Sequence, residues 1–119
     1  MKEILIKKAM LPFALLGGVL LAGCSTPPKT LYQWEDYQPQ VYEYLKGEAA
    51  EEQIAKLEAD LQKIQAKGNT PPPGYHAHLG LLYSSVGKLD QLEKELVAEK
   101  TLFPESATYM DFLLKKHKL

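Results

Sequence analysis

The sequence predicts an all-α fold of about five helices, on three observations. Apolar residues recur at helical spacing, most clearly Ile54, Leu57, Leu61 and Ile64, which are three, four and three apart. Glycine and proline punctuate these runs at Gly47, Gly68, Pro71-Pro72-Pro73, Gly87 and Pro104. Charge follows the helix dipole: Glu48, Glu51 and Glu52 open the Ile54 run, and Lys63 and Lys67 close it.

Each element follows from local chemistry. Pro39 suits the first turn of a short helix that runs to about Lys46 and stops at Gly47. Glu48 to Lys67 is an amphipathic helix ended by Gly68; its stripe lasts about two heptads, too short for a coiled coil. The three prolines 71–73 cannot continue it. Tyr75, Leu79, Leu82 and Val86 mark a helix over about 74–86, and Leu89, Leu92, Leu96 and Phe103 mark the next, so the two form a helical hairpin. Pro104 closes that helix, Ser106 is placed to cap a fifth, and Tyr109, Phe112 and Leu113 give the fifth its apolar side.

At 119 residues, 45% hydrophobic and 24% charged, the chain holds one small globular domain at most. Fourteen lysines against fifteen acids give a net charge of −1, which lacks the basic footprint of a nucleic-acid binder. A single cysteine can form neither an internal disulfide nor a multi-thiolate zinc site.

The first 23 residues read as a cleaved signal peptide. Lys2, Lys7 and Lys8 precede a charge-free stretch from Ala9 to Leu21 that falls short of the about 20 apolar residues a membrane span needs. Leu21-Ala22-Gly23-Cys24 follows, and in this setting it resembles the bacterial lipoprotein signal. The resemblance implies cleavage before Cys24, a diacylglyceryl thioether on its sulfur and a further acyl chain on its amino group. Two or more chains make anchoring stable. Ser25, standing where the family uses aspartate for inner-membrane retention, implies the outer membrane with the domain facing the periplasm. Residues 24–30 are then the lipidated cysteine and a proline-containing tether, and 31–119 are the helical domain. Without residues 1–23 the chain keeps 11 lysines and 14 acids and is mildly acidic.

Residues 73–106 resemble a tetratricopeptide repeat of about 34 residues. Leu79-Gly80, Tyr83, Gly87 and Pro104 carry the likeness. It implies that Gly80 lets the paired helices approach, that Tyr83 fills the gap between them, that Gly87 takes the turn and that Pro104 stops the second helix. The pattern departs at His76, Leu92 and Glu99, where the family favours tryptophan and two alanines, and this implies altered helix packing. With the upstream pair as a degenerate unit, the chain holds about two and a half repeats, short of the three that bury a continuous core. An open face invites a partner. The resemblance places Ala77, Leu81, Ser84 and Ser85 of the first helix in the groove; packing against neighbouring helices is the competing role for each.

The chain also resembles small bacterial lipoproteins of an uncharacterised family, through Leu31-Tyr32-Gln33-Trp34, Tyr37 and Gly74-Tyr75-His76-Ala77-His78-Leu79-Gly80. That family is associated with a lipoprotein similar to the curli secretion channel, which implies an envelope assembly.

No catalytic apparatus is legible. His76 and His78, two apart, point about 200° apart on a helix and cannot chelate one ion; packing is expected of His76 and solvent exposure of His78. There is no nucleophile elbow and no Gly-rich phosphate loop, so neither a cofactor nor a metal is expected. The leading expectation is therefore a non-catalytic protein-interaction module in the cell envelope. The alternative is a peptidoglycan-binding or peptidoglycan-synthase-activating lipoprotein. Trp34 and Tyr37, with Tyr32, carry it, since aromatic faces stack on sugar rings as readily as they pack internally. A homo-oligomer that pairs open repeat faces is a third arrangement consistent with the sequence.

Overall fold

The computed structural model describes residues 29–117. The expected signal peptide, the expected lipidation site Cys24 and the expected tether through residue 28 lie outside the described residues. Five α-helices follow one another: α1 (Tyr37–Lys46), α2 (Ala50–Ala66), α3 (Tyr75–Ser85), α4 (Leu89–Leu102) and α5 (Ala107–His117), with a 3-10 turn (Pro104–Ser106) before α5. The all-α expectation holds, and the bounds shift for physical reasons. α1 begins two residues before Pro39, because the missing N–H of a proline within the first turn breaks no helical bond. Ser106 does not cap α5: its hydroxyl donates backwards to the Phe103 carbonyl at 2.7 Å. No helix among the described residues is long and apolar enough to cross a membrane.

Each helix packs on the next in the chain, α3 most extensively on α4. Gly80 makes that approach possible. A Cβ built there would lie 3.3 Å from both Leu92 Cδ1 and Glu95 Cβ, tighter than ordinary contact, so a side chain at this position requires its neighbours on α4 to give way. Two apolar clusters result. Ile54, Leu57 and Ile64 of α2 pack with Tyr75, Leu79, Leu82 and Tyr83 of α3; Leu92 and Leu96 of α4 pack with Met110 and Leu113 of α5. Ala77 carries α3 into the second cluster.

The two hairpins share a polar device. Neither α1 nor α3 has a side-chain cap of its own. In each case a buried acid from the following helix supplies one. Asp60 of α2 accepts the Asp36 N–H at 3.2 Å, and Glu99 of α4 accepts the Gly74 N–H at 2.6 Å and the Ala77 N–H at 3.3 Å. A carboxylate facing the positive end of a helix satisfies donors that would otherwise be dry.

Candidate functional site

α3 lies at the centre of the array, and seven of its eleven residues are buried. The four that are not are Ala77, Leu81, Ser84 and Ser85. These are the residues placed in the groove from the sequence, and spacings of four, three and one put them on one side of the helix. Ala77 is partly covered, packing against the cluster of Leu92, Leu96, Met110 and Leu113. Leu81 and Ser84 are half-buried, and Ser85 is exposed, its hydroxyl donating to the Leu82 carbonyl at 2.7 Å. The stripe thus offers one apolar side chain between small ones, a surface that another helix can approach closely.

An aromatic wall lies between α1 and the Tyr75–His78 side of α3. Trp34, 42% exposed, lies 6.1 Å from Tyr37, and Tyr37 lies 5.2 Å from Tyr75, centroid to centroid. Tyr37 and Tyr44, seven residues apart and so on one face of α1, both meet the His78 ring edge-on, at 5.9 and 5.3 Å. Of the residues predicted as contacts, Trp34 and Tyr37 therefore touch one another, and His78, one turn from Leu81, links them to the α3 stripe. The sequence reading missed Tyr44 and misplaced His78. Its expected solvent exposure is overturned: the ring is buried beneath α1, which covers that side of α3. The two-turn, seven-residue spacing of Tyr37 and Tyr44 was the available signal.

Burial holds the His78 imidazole below the usual histidine range, and Nε2 has no hydrogen-bond partner. The unfolded chain therefore takes up this proton first as pH falls. Stability is complete above the ordinary histidine pKa of about 6.5, declines as pH drops below it, and stops declining once the folded ring is itself protonated. Urea midpoints measured from pH 8 to 5 should show this decline, and His78→Phe should flatten it; an unchanged slope in the variant would exclude His78 as its source.

His76 behaves as expected of a packing residue. It is buried, and its Nδ1 lies 2.6 Å from Glu95 Oε2. No group of three metal-ligating side chains occurs among the described residues. On the far side of α3, a cleft of about 480 Å³ at the α3–α4 turn is lined by Glu58, Tyr83, Lys88 and Asp90 among others. There the Tyr83 hydroxyl donates to Glu58, and burial with this bond pushes the phenol well above its usual range.

Residues 31–113 match a family described as a domain of unknown function (DUF4810). No curated protein and no solved structure matches the chain.

Proposed function

The chain belongs to the DUF4810 family, and on that premise we propose that it is a non-catalytic docking module of the cell envelope. In this reading it is lipid-anchored through Cys24 to the outer membrane, faces the periplasm, and uses a tetratricopeptide-like array to seat a peptide or helix of another envelope protein. One observation carries the reading. The central helix is buried everywhere except along Ala77, Leu81, Ser84 and Ser85, which are half-buried or exposed, and His78, one turn from Leu81, meets the part-exposed Tyr44 ring. Exposed aromatic residues such as Trp34 and Tyr44 are among those that interfaces concentrate. The Gly80 approach between α3 and α4 agrees with the repeat-like pairing.

A photo-crosslinking residue at Ser84 of the full chain, in cells, tests this. It should capture one envelope protein, and a lipoprotein like the curli secretion channel is the first candidate by resemblance. Leu81→Asp should abolish capture while leaving the helical circular dichroism intact, because Leu81 is only half-buried. Cys24→Ser should shift the chain from the membrane to the soluble fraction and reduce capture with it. Capture indifferent to Leu81→Asp would remove the groove assignment, and recovery with peptidoglycan in place of a protein would move the reading to glycan binding through Trp34.

A further inference from the structure

The outer face of α5 carries a pattern unrelated to the α3 stripe. α5 turns Met110 and Leu113 into the second core cluster. A flank of α5 beside that core face exposes Tyr109 (61%) and Phe112 (57%), whose rings stack at 6.3 Å with 16° between their planes. Glu105 stands four residues before Tyr109, and Lys116 stands four residues after Phe112; both are exposed. Tyr109, Phe112 and Lys116, at spacings of three and four, lie on one stripe of α5, and Glu105 precedes it in the 3-10 turn that leads into the helix, so the row runs about 16 Å from an acid through two aromatic rings to a base. Among the described residues, neither Glu105 nor Lys116 forms an ion pair. The neighbouring acid Asp111 is already held by Lys100 at 2.6 Å.

The order of this stripe is a palindrome in charge and shape. Glu105, Tyr109, Phe112 and Lys116 are symmetric about a point midway between Tyr109 and Phe112. A second copy related by a two-fold axis through that point would set its α5 antiparallel. Each Glu105 would then face a Lys116, and each Tyr109 a Phe112. A two-fold contact must be self-complementary in this way, whereas a surface for an unrelated partner has no reason to be. We propose that α5 pairs with α5 of a second copy of this chain, forming a symmetric dimer through Tyr109 and Phe112 with two reciprocal Glu105–Lys116 ion pairs at its rim. Packed helices lie about 8–10 Å apart, a separation that large aromatic side chains fill.

The geometry gives a directional test. Two tagged full-length chains, one carrying Glu105→Cys and the other Lys116→Cys, are co-expressed and oxidised in isolated membranes, with the unsubstituted chain as the control for Cys24. The antiparallel pairing should crosslink the mixed combination about tenfold more than either substitution alone, because like positions lie a helix length apart across the axis. Adding Phe112→Asp to both chains should abolish the mixed crosslink with helical content unchanged; should that variant lose helicity, Tyr109→Lys replaces it with the same expectation. Equal crosslinking in all three combinations, no mixed crosslink, or a crosslink that survives these aromatic substitutions would overturn the proposal. So would a chain found only as a monomer whose Phe112 face holds a foreign protein or the lipid surface.

Discussion

Glu99→Ala is expected to destabilise the domain by about 2–4 kcal/mol, the sum of lost charge-assisted hydrogen bonds, an uncapped helix and a small cavity, less the relief of a buried carboxylate. Glu99 is 2% exposed and receives two amides at the start of α3, those of Gly74 and Ala77. α3 has no other side chain in this role, and Pro71, Pro72 and Pro73 before it carry no N–H to share the position. Removing the carboxyl group leaves both donors in a dry site. Glu99→Gln keeps one good acceptor but turns an amide donor toward a second N–H, so a loss of about 1–2 kcal/mol is expected. Asp60→Ala is the internal control. Asp60 receives one amide, at 3.2 Å, and its other oxygen pairs with Lys63, whose side chain is 58% exposed. A solvent-screened pair adds little, so Asp60→Ala should cost about 1 kcal/mol. Urea unfolding followed by Trp34 fluorescence and by circular dichroism ranks the three. A Glu99→Ala loss no larger than that of Asp60→Ala would show that the buried carboxylate is not what starts α3.

These two acids mark the boundary between what was legible in the sequence and what was not. Helices were legible because their signals are local. Ile54, Leu57 and Ile64 repeat at helical spacing, and glycines end the runs, so four of the five helices start or stop within two residues of where the pattern puts them and α5 begins one residue after Ser106. Gly80 was legible through the repeat resemblance, and Leu92 and Glu95 do crowd its missing side chain. The same resemblance singled out Ala77, Leu81, Ser84 and Ser85, the four residues of α3 that are not buried. Glu99 was visible only as a departure from the repeat pattern, because the amides it meets are 22 and 25 residues away in the chain, and no local rule couples them. His78 failed differently. The helix wheel of α3 alone assigns it to the side away from His76, but α1 returns across that side and buries it. Ser106 failed because its hydroxyl donates to the Phe103 carbonyl in the preceding turn instead of accepting an amide N–H of α5.

Gly74→Ala should be comparably damaging, and its origin can be separated from Glu99. Gly74 has φ +91°, a conformation in which an L side chain costs about 1–2 kcal/mol even with open space around it. Here the space is not open. A Cβ would sit 2.8 Å from the Tyr37 hydroxyl oxygen, while the next ring atom lies at an ordinary 3.9 Å. Either the ring retreats, opening its contacts with Trp34 and Tyr75, or Gly74 shifts and its N–H leaves Glu99. The expected loss is about 2–4 kcal/mol. Because the obstruction is a single oxygen, Tyr37→Phe should relieve it. The double variant Gly74→Ala/Tyr37→Phe should be more stable than the sum of the single changes by about 1 kcal/mol, a coupling well above that of independent sites. Trp34, the only tryptophan, reports the same event, since its emission in the folded state should shift in Gly74→Ala and return in the double variant. Additive stabilities with an unshifted emission would mean that Tyr37 does not rest on the turn before α3, and would leave its contacts with Tyr75 and His78 as all that joins it to the central helix.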